Sequence, residues 1–174
     1  MKRITRYAFY LLYAAIFRFT PEDYRPYAFV FPWIRKMLVS SFVDQCGKDV
    51  RVKHNADISP FVRIGRGSEL GTRCIIQSHV VIGDDVIMGP DVKIYSRNHR
   101  YEALDTPIKD QGKVQCTTSI GSDVWIGANV IILPGVCIGD HVIVGAGAVV
   151  SKDVPEFAVV AGNPARILKM RKQN

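Results

Sequence analysis

Apolar residues recur at every sixth position through most of the chain, in two runs separated by one interruption. The first run is Cys46, Val52, Ile58, Ile64, Leu70, Ile76, Ile82, Met88 and Ile94, and the second is Val114, Ile120, Ile126, Ile132, Ile138, Val144 and Val150. A second small or β-branched residue follows four places after most of these positions. Neither a helical period nor simple two-residue alternation keeps this register. A six-residue period predicts a solenoid of hexapeptide repeats, a parallel β-helix.

Three consecutive hexads are expected to close one coil, so that each residue stacks on the residue at the same position three hexads later. Strand pairing would place neighbouring coils about 4.8 Å apart, and the two runs suffice for a little over five coils. The Gly, Asn and Asp residues that recur beside the inward position suit corners, where the backbone takes conformations that other residues resist. The usual crossover rule favours a right-handed coil, but spacing alone does not give the handedness.

The chain of 174 residues divides into three segments. Residues 43–160 are the predicted β-helix, and residues 161–174 are predicted to be a C-terminal helical tail. Residues 1–42 are rich in aromatic side chains and are interpreted as one or two helices around the helix-breaking Pro21 and Pro26. They either cap the open end of the solenoid, as solenoids require, or pack on a partner subunit. Alternatively, residues 1–36 form a peripheral membrane contact.

Charge and cysteine content narrow the function classes. The formal net charge is +7 and the basic residues concentrate at the chain ends, which suits an anionic ligand or an acidic membrane surface. No recognition motif accompanies this charge, so nucleic acid is not expected as a partner. The four cysteines show no metal or redox spacing, and the cytoplasm is the expected location. The apolar run Tyr7 to Phe17 follows Lys2, Arg3 and Arg6 and so resembles a signal peptide, but no cleavage site follows it. The run is also too short to span a bilayer, which needs about 20 residues.

The period breaks once, right after His99, and the separation of Ile94 from Ile120 is not a multiple of the repeat. A polar loop, residues 97–113, must therefore leave the coil and return. Loops on a rigid scaffold usually carry function, and a histidine at this exit can act as a general base near neutral pH. His99 is therefore the candidate catalytic residue. The other histidines lie within hexads and are interpreted as surface residues: His54, His79 and His141.

Four motifs resemble the hexapeptide-repeat acyltransferases: the Asn-His pair with its loop, VWIGA, GAGAVVSKDVP and AGNPAR. The resemblance covers roughly residues 46–170 and is strongest to sugar and polysaccharide O-acetyltransferases of the maltose, galactoside and colanic-acid types. It implies a left-handed β-helix and a homotrimer with active sites in clefts between subunits. It also implies acetyl-CoA as the acyl donor, no metal ion, and a sugar or saccharide precursor as acceptor.

The resemblance implies a role for each matching residue. His99 is the catalytic base, with Glu102 and Asp105 as alternative carboxylates to orient it. Ala128 stands where some relatives have a serine, so help for the oxyanion must come from a backbone N–H or water. The residues implied to contact the coenzyme are Ala128, Ala146, Ser151, Lys152, Arg166 and Lys169.

Other residues of these motifs have two interpretations each. The glycines of the second run leave a flat surface for a slender pantetheine arm or simply form corners: Gly127, Gly145 and Gly147. Trp125 should face outward and contact either substrate or a neighbouring subunit. Asn98 either positions the acceptor or makes the turn before His99.

Three rival functions remain. A metal enzyme of the γ-carbonic anhydrase type needs three converging histidines, but His54, His79 and His99 are not separated by whole numbers of coils. A catalytically silent scaffold is disfavoured because the histidine loop and the coenzyme motifs are both intact. Among acetyltransferases, an antibiotic acceptor of the streptogramin or chloramphenicol kind is the alternative to a sugar hydroxyl.

Overall fold

The chain folds into a β-helix in which a short strand recurs in each hexad. The computed structural model describes residues 3–22, 25 and 27–171, so Lys2, Pro26 and residues 172–174 lie outside the described residues. The solenoid strands are β1 (Gln45–Cys46), β2 (Arg51–Val52), β3 (Asp57–Ile58), β4 (Arg63–Ile64), β5 (Glu69–Leu70), β6 (Ile75–Ile76), β7 (Val80–Ile82), β8 (Ile87–Met88), β9 (Lys93–Ile94), β12 (Thr118–Ile120), β13 (Trp125–Ile126), β14 (Ile131–Ile132), β15 (Cys137–Ile138), β16 (Ile143–Val144), β17 (Val149–Val150) and β18 (Ala158–Ala161). Two further strands, β10 (Arg97–His99) and β11 (Lys113–Gln115), lie between β9 and β12.

Strands from successive coils pair in parallel to form three sheets. Sheet A contains β1, β4, β7, β12 and β15, sheet B contains β2, β5, β8, β13, β16 and β18, and sheet C contains β3, β6, β9, β14 and β17. Cys46 pairs with Ile64, three hexads further along the chain, as the predicted coil length requires. Val80 instead pairs with Thr118, which lies much further along the chain than one coil would place it. The third and fourth coils are therefore joined by an insertion that lies outside the repeat.

The inward positions form one aliphatic column, as predicted. Side chains from Val52 to Val150 at the first hexad position, and those four places later, are buried. Two residues differ from the expectation. Cys46 is only half-buried, and Val114 lies in β11, outside the solenoid and exposed. Val114 matches the six-residue period by position only. Its side chain is not part of the inward column, because the solenoid resumes at Thr118.

The corners of the coils use left-handed backbone conformations. One residue with positive φ recurs every six positions, and the non-glycine examples are Asp49, Asn55, Phe61, Arg73, His79, Asp85, Asp91, Asp123, Asn129 and His141. Asn and Asp tolerate this region better than most residues. The rings at these corners stack on neighbouring coils, as Phe61 and His79 do at 5.9 Å, and Arg73 forms an ion pair with Asp91 of the next coil at 2.7 Å.

Two N-terminal helices cover the first coil. These are α1 (Arg3–Ala15) and α2 (Phe31–Phe42), with a short 3-10 turn at Phe17–Phe19 between them. The buried Tyr13 hydroxyl donates to the carbonyl oxygen of Ala56 at 2.7 Å, and the buried Arg35 Nε donates to that of Val52 at 2.8 Å. Pro32 fits the first turn of α2, because the backbone N–H groups of that turn have no acceptor within the helix and the N–H that proline lacks is not needed. Among the described residues, no helix combines the length and apolar character needed to cross a bilayer.

The C-terminal segment is a strand, and the prediction of a helix there was wrong. Residues Arg166–Met170 form β19, which pairs antiparallel with β18 after a turn containing a cis bond between Asn163 and Pro164. The last parallel strand of sheet B would otherwise present unpaired backbone groups along its edge. The returning strand satisfies them, and Arg171 Nη1 fixes its end by donating to the His141 carbonyl oxygen at 2.9 Å.

Candidate active site

The predicted loop of residues 97–113 is an antiparallel β-hairpin that leaves the solenoid after β9. Strands β10 and β11 pair so that His99 lies opposite Lys113 and Arg97 opposite Gln115. The His99 side chain is exposed, and no hydrogen bond to its imidazole is formed by any residue within the described ranges. The hairpin thus holds His99 away from the core on a defined strand.

Buried polar side chains anchor the base of this hairpin. Thr118 is buried, and its hydroxyl donates to the Tyr95 carbonyl oxygen at 2.7 Å while it accepts from the Gly135 N–H at 3.0 Å. Ser96 is also buried, and its hydroxyl donates to the carbonyl oxygen of Ser78. Sequence reasoning missed both residues. The available signal was a polar residue, Thr118, in a register position that apolar residues hold in other coils.

The two carboxylates considered for orienting His99 do not reach its imidazole. Glu102 accepts from the Tyr101 backbone N–H at 3.0 Å, and Asp105 accepts from the Thr106 hydroxyl at 3.1 Å. The Asn98 side chain accepts from the His99 backbone N–H at 3.0 Å. Asn98 therefore shapes the backbone that carries the histidine.

The solenoid has three lines of corners, and the line between sheets B and C is called the BC corner here. Ala128 and Ala146 occupy it in successive coils, and the Gly147 N–H donates to the Ala128 carbonyl oxygen at 2.8 Å. Ala161 ends β18 on the same line, and Arg166 pairs with it across the final hairpin. Three of the residues implied to bind the coenzyme, Ala128, Ala146 and Arg166, are therefore aligned along one edge.

The backbone N–H groups at the BC corner differ in their hydrogen bonding from those at the corner between sheets A and B. At the latter corner the Arg66 N–H donates to Asp84 at 2.9 Å, and Asp84 and Ser122 repeat the arrangement with side chains of the next coil. Alanine side chains offer no acceptor, and no described residue accepts from the Ala128 or Ala146 N–H. These donors are available to a ligand carbonyl.

The glycines of this region have different roles. A Cβ on Gly127 would lie 2.5 Å from the Ala146 nitrogen, and one on Gly145 would lie 2.9 Å from the Ala161 Cβ. Both therefore allow close stacking of coils. Gly147 has φ +71° and open space beside it. The expected flat surface for a pantetheine arm is thus found at Gly147 alone.

The remaining candidates are exposed on adjacent surfaces. Ser151 and Lys152 follow β17 at the corner between sheets C and A, the corner from which the hairpin leaves. Lys169 lies on β19, opposite Val159, and Trp125 faces outward from β13 with 56% of its side chain exposed. No hydrogen bond or ion pair in the described part of the chain joins His99 to any of the coenzyme candidates.

The other histidines have structural contacts. His54 Nδ1 donates to the Thr20 carbonyl oxygen at 2.7 Å and so ties the N-terminal segment to the first coil. His141 stacks on Phe157 and lies 2.8 Å from an Asp123 oxygen. This hydrogen bond, and a second from Arg171, lower the pKa of the Asp123 carboxyl. Within the described ranges, no three His, Cys, Asp or Glu side chains converge as a metal site would require.

The comparisons place this β-helix among the bacterial hexapeptide transferases. Residues 117–152 match the family model described as "Bacterial transferase hexapeptide (six repeats)". The structure is similar to a maltose O-acetyltransferase from Clostridium difficile 630, with a TM-score of 0.81 and 30% identity over 98% of this chain and 88% of that one. The chain belongs to this hexapeptide-repeat family.

Two further relatives are similar over different shares of the chain. One is a hexapeptide-repeat acetyltransferase from Vibrio cholerae solved with acetyl coenzyme A, with TM-score 0.77 and 28% identity over 94% of this chain and 88% of that one. The other is the galactoside O-acetyltransferase of Escherichia coli K12, 38% identical over 52% of this chain and 43% of its own length. The first curated relatives are matched over only 38–45% of their length.

Proposed function

We propose that this protein is an acetyl-CoA-dependent O-acetyltransferase that acts on a hydroxyl group of a sugar or saccharide precursor. The observation that carries the proposal is the exposed His99 on a hairpin anchored at the single interruption of the repeat. The likeness to a maltose O-acetyltransferase over almost the whole chain supports the acceptor class. The relative solved with acetyl coenzyme A supports the donor.

In the proposed reaction His99 acts as general base. Its neutral imidazole nitrogen takes the proton of the acceptor hydroxyl as the oxygen attacks the thioester carbonyl carbon. The tetrahedral oxyanion collapses, the carbon–sulfur bond breaks, and the coenzyme thiolate takes the proton back from His99. The products are the acetyl ester and free coenzyme A, and no covalent enzyme intermediate is needed.

The BC corner is proposed to bind the donor. The free N–H of Ala128 donates to the thioester oxygen as negative charge develops there, which is the kind of interaction that lowers the barrier. The Ala146 N–H and the open space at Gly147 receive the pantetheine arm. Arg166 and Lys169 attract the coenzyme phosphates.

The proposed active unit is a homotrimer in which His99 of one subunit serves the donor bound to its neighbour. The hairpin exposes apolar side chains that a neighbouring copy would cover: Tyr101, Leu104 and Ile108. In the proposed trimer, a neighbouring subunit or the bound acceptor orients the His99 imidazole. Cytoplasmic location, where acetyl-CoA is made, is part of this proposal.

A thiol-release assay with acetyl-CoA tests the reaction. The acceptor panel contains mono-, oligo- and lipid-linked saccharides, with chloramphenicol and a streptogramin as antibiotic acceptors. His99→Asn should lower kcat by about 10²–10⁴-fold with the best acceptor. His79→Asn is the matched control, because asparagine tolerates the positive φ at that exposed corner. Turnover by His99→Asn at the wild-type rate, or transfer to the antibiotics alone, would overturn the assignment.

A further inference from the structure

The far end of the histidine hairpin needs a contact that keeps its two strands together. His99 and Lys113 form the last pair of the β10–β11 ladder, and beyond them the Arg100 N–H donates to the Gly112 carbonyl oxygen at 3.1 Å. Residues 101–111 then lead the chain from one strand to the other. A ladder of only two strands is marginally stable in water, so the end that carries His99 would fray unless this loop were closed.

The side-chain amide of Gln111 closes the loop with three hydrogen bonds. The Ala103 N–H donates to Gln111 Oε1 at 3.1 Å, and Gln111 Nε2 donates to the Ala103 carbonyl oxygen at 2.8 Å. Nε2 also donates to the Thr106 carbonyl oxygen at 2.7 Å. The amide thus bonds both polar backbone groups of one residue, as a partner residue does in an antiparallel ladder. A primary amide suits this task because it offers two N–H donors and an acceptor oxygen.

The backbone connects Gln111 closely to the strand that pairs with His99. The Gln111 N–H donates to the Ile108 carbonyl oxygen at 3.3 Å, which ends a short 3-10 turn. Gly112 follows with φ +85°, a left-handed conformation that glycine adopts without strain. The next residue, Lys113, already pairs with His99. Gln111 is therefore separated by a single residue from the strand that holds the histidine in the ladder.

We infer that Gln111 is a positioning residue for His99. Thr118 and Ser96 fix the base of the hairpin on the solenoid, whereas Gln111 fixes the opposite end, where the imidazole lies. A general base must stay within hydrogen-bond reach of the proton that it removes, and a displacement of about 1 Å costs as much as about 10²-fold in rate. The catalytic consequence rests on the proposed function, but the closure of the loop does not.

Kinetics of two Gln111 variants test the catalytic consequence. Gln111→Met keeps the length of the side chain but makes none of the three hydrogen bonds, so kcat with the best acceptor should fall by about 10–100-fold. Gln111→Glu keeps the shape and places a carboxylate against two carbonyl oxygens, so it should lose as much. The KM for acetyl-CoA should stay unchanged in both, because the hairpin is not part of the BC corner. A variant that merely unfolds the protein would not separate the two constants in this way.

Gln45→Met is the matched control. The Gln45 amide is also exposed and also accepts a hydrogen bond, from Arg63 Nη2 at 3.1 Å, but it lies on β1 in the first coil. This variant should turn over at the wild-type rate.

Hydrogen exchange of the full-length protein tests the closure without any acceptor. In Gln111→Met the backbone amides of residues 99–112 should exchange about tenfold faster or more, while those of the solenoid strands keep their wild-type rates. The midpoint of urea unfolding should not move, since the hairpin opens without opening the coils.

Three results would overturn the inference. Unchanged exchange of residues 99–112 in Gln111→Met would show that the amide does not close the loop, and faster exchange at the wild-type kcat would show that closure has no influence on His99. Sedimentation in which Gln111→Met breaks a larger assembly into smaller ones would make the loop a contact between copies. A wild-type protein that turns over no acceptor at all would refute the proposed function and the catalytic role of Gln111 with it, whereas the exchange measurement would still decide whether Gln111 closes the hairpin.

Discussion

At the scale of single residues, Cys74 shows how burial controls chemistry in the column. Its side chain is fully buried, and burial, assisted by the nearby Asp57 carboxylate, raises the pKa of its thiol to about 12. An unfolded cysteine has a pKa of about 8.5. The folded state therefore keeps a proton that the unfolded state loses, so this contribution to stability is complete below about pH 8.5 and falls as the pH rises toward 12.

The prediction is a stability difference that depends on pH. Between pH 7.5 and about 9.5 the free energy of unfolding of wild type should fall by up to about 1.4 kcal/mol per pH unit more than that of Cys74→Ala. Urea unfolding of both proteins across this range measures it. Parallel curves would show that Cys74 ionises equally in both states.

In native protein at pH 8, the exposed Cys137 should react with a thiol reagent while Cys74 stays unmodified.

The spacing of residues was enough to predict the column but not the anchors of the hairpin. Ile58, Ile76 and Ile94 recur at every third hexad and are all buried, because a stacked coil offers each the same environment. Thr118 and Ser96 depend on which carbonyl groups the departing chain leaves unpaired. Which carbonyl groups lack a hydrogen-bond donor is decided only by the path of the folded backbone. The only sign of this in the sequence is Thr118, a polar residue at an inward position of the repeat.

At the scale of elements, the anchored hairpin is expected to control catalysis through position. Thr118→Val keeps the shape of the side chain but leaves the Tyr95 carbonyl and the Gly135 N–H without their partner. The loss should lower the free energy of unfolding by about 1–3 kcal/mol. Because the base of the hairpin loosens, kcat should also fall, while the KM for acetyl-CoA changes little.

Thr118→Ser is the matched control, since it keeps the hydroxyl and should retain most of the turnover. Denaturant unfolding and steady-state kinetics on the three proteins give both quantities. A Thr118→Val enzyme that is less stable but turns over at the wild-type rate would show that the anchor supports the fold and has no influence on His99.

The elements that the residue spacing did not predict are those whose conformation depends on the edges of the sheets. The repeat indicated that the chain leaves the coil after Ile94, but a hairpin with paired strands could not be distinguished from an irregular loop. Likewise Arg166–Met170 contains good helix formers, yet pairs with β18 because the end of sheet B needs a partner. Local propensity is a weak preference that tertiary pairing overrides. Period and corners are local properties, whereas the edges of sheets exist only in the assembled solenoid.

At the scale of the whole molecule, the two ends and the middle of the solenoid have different roles. The N-terminal end is closed by the two helices α1 and α2, and the C-terminal end is closed by the β18–β19 hairpin. The proposed chemistry lies between them. No hydrogen bond or ion pair joins His99 to the BC corner in the described part of one chain. This separation is what a site shared by two subunits requires.

Mixed trimers test that requirement. His99→Ala removes the base, and Ala146→Glu places a carboxylate where the pantetheine arm is proposed to bind, so each variant alone should be inactive. When the two are co-expressed in equal amounts, about one quarter of the subunit interfaces combine an intact hairpin with an intact BC corner, if subunits associate at random in a closed ring. The mixture should therefore regain about a quarter of wild-type turnover per site.

The control is to mix the two variants after each has been purified as an assembled homotrimer, which should stay inactive over times too short for subunits to exchange. Sedimentation must show the same mass for both variants and for wild type. If the active site lay within one chain, every subunit of the mixed trimer would carry one defect. Co-expression would then yield no turnover, and the proposal that His99 serves the neighbouring subunit would have to be abandoned.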